Sequence, residues 1–373
     1  MKFVLFYHSL VSDWNHGNAH FLRGIVRELT ARGHEVAAHE PADGWSRRNL
    51  LAHQGEQAIA DFQVAFPGLH STTYDPRALD LDAALDGADV VLVHEWNAPE
   101  LVARIGRHRA LGGGYRLLFH DTHHRSVSAP HLIDAMALDA FDGILAFGEV
   151  VRELYVRRGW GRRAWTWHEA ADTALFRPLP RVARECDLVW VGNWGDDERT
   201  AALETFLLQP TRNLGLRTRI YGVRYPQAAL EALAAAGADF GGWLPNYRVP
   251  EVFARFSLTV YVPRAPYVRM LPGIPTIRVF EALACGIPLV CAPWSDCEGL
   301  FRPGDMLFAA DGTDAKRHIS AVLADPDLAA SLADNGLRTI RERHTCAHRV
   351  DQLLGICAEL GLPRPLGRLE AVA

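Results

Sequence analysis

Residues 271–288 have the sequence LPGIPTIRVFEALACGIP, in which a proline–glycine loop leads into an amphipathic helix and then a strand. Thr276 stands where it can cap this helix. Arg278 and Glu281 are three residues apart, hence on one helical face near its positive end. An arginine there can hold a diphosphate, and a carboxylate can accept paired ribose hydroxyls. The alternative is a surface ion pair between the two side chains.

Short apolar runs alternate with amphipathic stretches on both sides of this segment. Buried strands that alternate with helices are typical of parallel sheets. The sequence therefore predicts an α/β fold with two Rossmann-like parallel-sheet domains that face a cleft, and a proline-containing linker at residues 176–180. The predicted strands are residues 3–7, 34–38, 90–94, 115–120, 143–147, 164–167, 187–191, 218–222, 239–243, 258–262, 288–292 and 306–309.

The composition is that of an ordinary globular protein, with 373 residues, 49% hydrophobic residues and a net charge of −5. We expect no nucleic-acid partner on this balance, and leave a peripheral membrane contact open. The only lysines are Lys2 and Lys316, so phosphate recognition would fall to arginines and backbone amides. Six cysteines without a C-x-x-C pair indicate a reduced protein without a cysteine zinc site. With no signal peptide or membrane span evident, we expect a cytoplasmic location.

Open parallel sheets bind ligands beyond the carboxyl ends of their strands, so the residues after each strand are candidates. After the first strand, Gly17 permits a close backbone approach, and Asn18 precedes a helix whose N–H groups can bind an anion. The alternative is a capped turn with Asn15 or Asn18 as the cap. The full G-x-G-x-x-G fingerprint is missing, which gives a nicotinamide dinucleotide little support.

A polar cluster, HDTHHR, occupies residues 120–125 after the predicted strand 115–120. His120 or His124 can take a proton near neutral pH, and Asp121 can orient an imidazole or accept a sugar hydroxyl. These three are the candidate catalytic residues. A metal site competes with this interpretation, but neighbouring side chains of an extended segment point apart and the H-E-x-x-H spacing is absent. We therefore predict no metal site.

Two further strand ends admit two interpretations each. His94 and Glu95 either line the same cleft or precede a helix that Asn97 caps. Residues 192–199, GNWGDDER, combine two glycines with Arg199, which suits diphosphate contact through amides and a guanidinium. A plain surface turn with Arg199 in solvent is the alternative.

Residues 281–288, EALACGIP, resemble the E-A-x-A-C-G-x-P signature of the retaining, nucleotide-sugar-dependent glycosyltransferases with the GT-B fold. The run RVFEA at residues 278–282, with the later His344, Thr345 and Arg349, resembles more specifically the spore-maturation CgeB-like branch. Residues 17–36 resemble the opening of the same superfamily. Where that superfamily often has a second glutamate, eight residues before the helix glutamate, this chain has Gly273.

The resemblance implies an N-terminal acceptor domain at residues 1–172, a C-terminal nucleotide-sugar domain at 173–345, and a last helix at 346–373 that returns to the first domain. It further implies that Glu281 holds the donor ribose, that Arg199 and Arg278 contact the diphosphate, and that His120 sits at the reacting centre.

The function so predicted is metal-independent transfer of a hexose from a nucleoside-diphosphate sugar, a donor substrate used without a cofactor, to a hydroxyl of a small molecule or glycan. In a retaining reaction His120 would stabilise the reacting sugar; in an inverting one His120 or Asp121 would be the general base. A nucleotide-sugar epimerase or hydrolase, or a non-catalytic nucleotide-sugar-binding protein, is the alternative on this scaffold. The sequence leaves the donor, the acceptor and the oligomeric state open.

Overall fold

The structure, a computed structural model, describes residues 1–180, 184–195 and 197–363. The first half of the chain forms a seven-stranded sheet in the order β3-β2-β1-β4-β5-β6-β7, with every pair of neighbours parallel. Its strands are β1 (Lys2–Phe6), β2 (Glu35–Pro41), β3 (Thr72–Tyr74), β4 (Val90–His94), β5 (Arg116–Asp121), β6 (Gly143–Ala146) and β7 (Ala164–Thr166).

The second half forms a six-stranded sheet in the order β10-β9-β8-β11-β12-β13, again with parallel pairs. The predicted α/β fold with two parallel sheets is confirmed. Its strands are β8 (Cys186–Val191), β9 (Thr218–Tyr221), β10 (Ala238–Phe240), β11 (Phe256–Tyr261), β12 (Leu289–Cys291) and β13 (Leu307–Phe308).

Helices connect the strands in both halves, because parallel neighbours require crossover connections. Those of the first half are α1 (Ala19–Ala31), α2 (Trp45–Gln54), α3 (Gln57–Ala65), α4 (Leu81–Leu85), α5 (Pro99–Ala110), α6 (Arg125–Ser128), α7 (Pro130–Ala135) and α8 (Glu149–Arg158), with a 3₁₀ turn at Leu138–Ala140. Those of the second half are α9 (Thr200–Leu203), α10 (Gln209–Leu214), α11 (Gln227–Ala235), α12 (Val249–Phe253), α13 (Ala265–Arg269), α14 (Ile277–Cys285), α15 (Gly312–Ala324), α16 (Pro326–Arg343) and α17 (Cys346–Glu359). Short 3₁₀ turns at Asp197–Arg199 and Asn246–Arg248 and a π-helical turn at Glu204–Leu208 complete the second half. None of the helices in the described ranges is long and apolar enough to cross a bilayer.

Each sheet has one place where the strand order reverses direction, between β1 and β4 in the first and between β8 and β11 in the second. The loops that leave such neighbouring strands part to opposite sides and open a crevice at their carboxyl ends. The central strands β1 and β4 are buried on both faces, as their unbroken apolar sequences predict. Both crevices therefore lie at the ends of rigid, buried strands.

The chain returns to the first half after the second sheet. Helix α17 packs against α1, and the segment before it pairs with Ala171: the Ala171 N–H donates to the His344 carbonyl and the Cys346 N–H to the Ala171 carbonyl, both at 2.9 Å. Gly24 of α1 faces this contact, and a Cβ there would lie 2.9 Å from Cβ of Asp172 and closer still to Sγ of Cys346. The segment predicted at 346–373 extends past residue 363, and its end lies outside the described residues.

Candidate active site

A cavity of about 380 Å³ lies between the carboxyl ends of the two sheets. Its first-half wall follows β1, β4, β5, β6 and β7, and its second-half wall follows β8 and β11 and includes the start of α14. The first-half wall contains His8, Asn15, His16, Gly17, Asn18, Trp45, Trp96, Thr122, His123, His124, Phe147 and Glu169. The second-half wall includes Trp190, Gly192, Asn193, Gly195, Arg199, Arg224, Tyr261, Arg264, Tyr267, Thr276, Ile277 and Arg278.

Most of the residues predicted to bind the donor lie on these walls. Gly17 and Asn18 come from the first half, and Arg199, Thr276 and Arg278 from the second. A Cβ on Gly17 would lie 3.3 Å from Cγ2 of Ile277 and 3.8 Å from the Arg278 guanidinium. The glycine therefore lets the loop after β1 approach the first turn of α14 closely.

Helices α1 and α14 both begin at the cavity without a side-chain cap. The Asn18 side chain donates from Nδ2 to the Thr122 carbonyl at 3.4 Å, so the alternative interpretation, in which Asn18 caps α1 through its side chain, does not hold. Thr276 holds the N-cap position of α14, but its side chain makes no capping bond. The side chains of Asp311 and Thr345, by contrast, cap α15 and α17. Several first-turn amides already have acceptors: the Ala19 N–H donates to the His16 carbonyl, the Val279 N–H to the Thr276 carbonyl and the Ile277 N–H to the Glu169 carboxyl. The His20 and Phe21 amides of α1 and the Arg278 amide of α14 can donate to other acceptors, such as the oxygens of an anion.

Four arginines line the second-half wall, Arg199, Arg224, Arg264 and Arg278, and the first and last of them are the predicted diphosphate contacts. Arg199 lies over the Trp190 ring, 5.1 Å from its centroid, and donates from Nη1 to the Asn193 carbonyl at 3.4 Å. Its buried Nε has no hydrogen-bond acceptor among the described residues. Burial lowers the pKa of Arg199 to about 10, so it stays protonated at neutral pH. Arg278 adds a second positive charge and pairs through Nη1 with Glu281.

Glu281 does not line the cavity, contrary to the expectation that it faces a ribose. Its carboxylate is fully buried and accepts hydrogen bonds from His20 Nδ1 at 3.0 Å, from Asn246 Nδ2 at 2.6 Å and from Arg278. The Asp172 N–H donates to His20 Nε2 at 2.7 Å, which leaves the imidazole proton on Nδ1 for Glu281. Burial would raise the pKa of Glu281, but Arg278 and His20 hold it below its usual value. In this arrangement Glu281 joins α14 to α1.

His120 and Asp121 also lie behind the cavity wall. Strand β5 continues through Asp121, one residue further than predicted. The His120 side chain belongs to this strand and packs inside the sheet layer, with its ring 4.8 Å from the ring of Trp167. Both of its ring nitrogens are buried and have no hydrogen-bond partner among the described residues, and burial lowers its pKa to about 3. Asp121 accepts from the Tyr155 hydroxyl and the His123 N–H, each at 2.9 Å. Burial raises its pKa to about 6.

The later histidines of the same cluster do reach the cavity. His124 bonds through Nδ1 to the Ser128 hydroxyl at 2.8 Å, while its Nε2 has no partner among the described residues. Burial lowers the pKa of His124 to about 4, which keeps the ring neutral at pH 7. His123 lies against Trp96, with ring centroids 4.8 Å apart.

The sequence left open whether the residues after β4 line the cleft, and their burial answers this. His94 and Glu95 are fully buried and absent from the cavity wall, whereas the next residue, Trp96, lies on it. His94 bonds through Nε2 to the Thr122 hydroxyl at 2.9 Å, and Arg125 lies 3.9 Å from the centroid of the Trp96 ring. This strand end therefore contributes an indole surface to the cavity.

One functional candidate, Glu169, escaped the sequence analysis. It follows β7, so the carboxyl-end rule that selected the other candidates would have found it. The side chain is 3% exposed, and its Oε1 is buried without a hydrogen-bond donor among the described residues. Burial, followed by the neighbouring Glu281, raises the pKa of Glu169 to about 8.

The described residues contain neither a cluster that could hold a metal ion nor the second glutamate of the superfamily pattern. Within the described ranges, no three histidine, cysteine, aspartate or glutamate side chains converge on a point where they could hold a metal ion. Gly273 has φ of +92°, and a Cβ there would lie 2.7 Å from Cys297 Sγ and 3.1 Å from Glu298 Oε1. This backbone position has no room for the glutamate of the superfamily pattern.

Comparison with known proteins gives a partial sequence match and full-length structural matches. Residues 199–355, less than half of the chain, match the sequence model of a family described as glycosyl transferase-like. No curated protein sequence matches the chain.

Among solved structures, HepE of Anabaena in complex with UDP and glucose is similar, with a TM-score of 0.67, 14% identity and coverage of 96% of this chain and 100% of that one. Sucrose-phosphate synthase of Thermosynechococcus elongatus gives a TM-score of 0.66 and 13% identity, covering 96% and 99%. T4 phage BGT in complex with UDP and Mn²⁺ gives 0.62 and 11%, covering 97% and 100%. The chain therefore has the two-sheet GT-B fold; the closer resemblance to the CgeB-like branch stays a prediction.

Proposed function

We propose that this protein is a glycosyltransferase that moves a hexose from a nucleoside-diphosphate donor to a hydroxyl of a small molecule or glycan, with retention and without a metal ion. The observation that carries the proposal is the contrast between the two walls of one cavity. The second-half wall contains four arginines, Arg199, Arg224, Arg264 and Arg278, whereas the described residues of the first-half wall include no arginine or lysine and present mainly imidazole and indole rings. The partial family match and the structural neighbours that bind UDP support the same reading.

The second-half wall suits the diphosphate of the donor. Arginine guanidinium groups bind phosphate oxygens in pairs of parallel hydrogen bonds, and the Arg278 amide in the first turn of α14 can add a further donor. As the bond between the sugar and the diphosphate breaks, negative charge accumulates on the leaving oxygen. Donors already aimed at that point stabilise the charge without reorganisation, which is the work that a metal ion does in other enzymes.

The first-half wall suits the acceptor and the face of the transferred sugar. The Trp96 indole offers an apolar ring beside polar neighbours, a surface that sugars and other partly polar molecules use. Because His120 and Asp121 lie behind the wall, the role first expected of them passes to His124, whose neutral Nε2 is free to bond a hydroxyl. We propose retention on the resemblance of residues 281–288 to the retaining superfamily.

Incubation with a panel of UDP-, GDP- and TDP-sugars, with and without hydroxyl acceptors, tests the proposal. UDP-glucose comes first, because HepE has been solved with UDP-glucose. Acceptor-dependent release of the nucleoside diphosphate, with a product of retained anomeric configuration by NMR, is the expected result. An isomerised donor indicates an epimerase, acceptor-independent release a hydrolase, and binding without turnover a binding protein.

Activity should survive EDTA. Within the described ranges no cluster suits a cation, so we expect Arg199 and Arg278 to carry the charge of the leaving group. The initial rate of nucleotide release should stay within about twofold of the untreated rate. Complete loss that added Mg²⁺, Mn²⁺ or Zn²⁺ restores would contradict the metal-free mechanism.

A further inference from the structure

Glu169 is the only carboxyl-bearing residue among the described residues that line the cavity. Its side chain is almost completely buried, and its Oε1 has no hydrogen-bond donor among the described residues. A buried carboxyl oxygen without a donor costs free energy, because it has lost its water and gained no partner. Such an atom on a cavity wall is explained most simply by a partner that the cavity itself receives.

Three other buried carboxyl groups lie behind the cavity wall and have partners within the protein; that of Glu95 is the Arg125 guanidinium, 3.2 Å away. Glu281 accepts from His20, Asn246 and Arg278, and it lies behind the wall. Asp121 accepts from a tyrosine hydroxyl and a backbone amide, and it too is absent from the wall. A ligand in the cavity that requires a carboxyl contact can therefore obtain it from Glu169.

The surroundings of Glu169 indicate which part of a donor it would meet. The residue comes from the first-half wall, while the arginines suited to a diphosphate stand on the second-half wall. The charged and polar neighbours of the carboxyl are Glu281 and Arg278 of α14 and Tyr267 of α13. The Ile277 N–H donates to the carboxyl, and Oε1 is the oxygen left without a donor among the described residues. At neutral pH a carboxyl with a pKa of about 8 keeps its proton, so it can both donate hydrogen bonds to sugar hydroxyls and accept them. Its ionised form would repel phosphate oxygens. The sugar is the part of the donor that would extend from the diphosphate toward the first-half wall.

We propose that Glu169 is a catalytic residue whose carboxyl contacts the hydroxyl groups of the sugar that is transferred. The inference rests on the proposed function, since it presumes a nucleotide-sugar donor in this cavity. It assigns the sugar subsite to the junction of β7 and α14, where residues from both halves of the chain meet.

Isothermal titration calorimetry with UDP and with UDP-glucose separates the sugar contact from the nucleotide contacts. In Glu169→Ala at pH 7, the affinity for UDP-glucose should fall about 10-fold relative to that for UDP, the upper end of the range for a hydrogen bond between uncharged groups. The affinity for UDP itself should change less than about threefold. Glu169→Gln, which keeps the shape of the side chain, guards against a folding defect in the alanine variant.

Glu298→Gln is the matched control, because Glu298 is a partly buried carboxyl that pairs with His168 and does not line the cavity. It should leave the ratio of the two affinities unchanged. Intact UDP binding with an unchanged ratio in Glu169→Ala overturns this inference alone. Failure of the wild-type protein to bind any nucleoside diphosphate overturns the proposed function, and this inference with it.

The affinity for UDP-glucose as a function of pH distinguishes a direct contact from a purely structural role of Glu169, because a structural role would not make the affinity follow the titration of its carboxyl. UDP-glucose has no group of its own that titrates between pH 6 and 9, so changes in that window belong to the protein. Because the pKa of Glu169 is raised to about 8, its ionisation should weaken wild-type binding as the pH rises through 8. Glu169→Gln should abolish this decline; a decline that persists in the variant contradicts the assignment.

Discussion

Glu281 connects segments that are far apart in sequence, so its removal should appear first as a loss of stability. Glu281→Ala leaves the buried donors of His20 and Asn246 without an acceptor and Arg278 without its partner. We expect a loss of about 3 kcal/mol in the free energy of unfolding, measured by denaturant titration. Full stability together with weakened UDP binding would instead support the original expectation that Glu281 binds the ribose of the donor.

Arg199 should not tolerate lysine. Its guanidinium lies on the Trp190 ring with Nε left for another acceptor, and an ammonium group can reproduce neither the planar stacking nor the paired donors. Arg199→Lys should lower the affinity for UDP about tenfold by calorimetry. Arg219→Lys is the control, because Arg219 lies over the Tyr221 ring but does not line the cavity. Equal losses in both variants would contradict a specific role for Arg199.

The cavity-facing atoms could be predicted only in part from the residue types. Arg199 and His124 reach the cavity from the segments after β8 and β5, and Arg278 reaches it from the first turn of α14. His120 does not, because its ring packs inside the sheet layer against Trp167, and the sequence alone does not show to which face of the strand it points. Glu169 shows the opposite error: it follows β7, so the carboxyl-end rule covers it, but a lone glutamate after a short strand forms no motif.

At the scale of elements, the contact between α1 and α17 depends on Gly24. Gly24→Ala would place a methyl group against Cys346 Sγ and the Asp172 side chain. We expect this overpacking to reduce the free energy of unfolding by about 1–3 kcal/mol. Adding Cys346→Ala should recover part of that loss, because it removes the nearest atom. Additive losses in the double variant would show that the two sites do not interact.

Gly355→Ala in α17 is the control for this substitution. A Cβ at Gly355 meets no atom within 4 Å, and alanine has the higher helix propensity. The variant should be as stable as the wild-type protein or slightly more so.

The elements themselves were largely predictable, and the departures have local causes. The amphipathic stretch at residues 49–65 belongs to two helices, α2 and α3, because Gly55 has φ of +72° and ends the first of them. Strand β3 was not predicted: it has three residues, lies at the sheet edge and exposes two of them, so it lacks an apolar run. The central strands could be predicted because burial on both faces makes them continuously apolar.

At the scale of the whole molecule, buried histidines should set the acid limit of stability. Burial lowers the pKa of His8 and His124 to about 4 and that of His120 and His344 to about 3. An unfolded histidine titrates near 6.5, so below that pH the unfolded chain binds more protons than the folded one. Stability should therefore fall as the pH drops from 6.5 toward 4, by about 1.4 kcal/mol per pH unit for each such histidine.

Denaturant titrations at a series of pH values measure this slope. His120→Phe replaces one of the four rings with an aromatic group that cannot titrate, beside the existing Trp167. The slope of stability against pH should be smaller in the variant by about 1.4 kcal/mol per pH unit, the contribution of one histidine. A stability that stays flat from pH 6.5 to 4 in the wild-type protein would contradict the expectation.

The return of α17 to α1 also limits how this chain can be recombined with others. Consider a hybrid in which all residues after about 172 come from a relative. Its final helix, from the relative, would have to pack against Gly24 of this chain, and a residue of the relative would have to replace Glu281 as the partner of His20. Exchange of specificity by whole halves would therefore have to transfer the native α17 along with α1, so that the interchangeable unit is discontinuous in sequence.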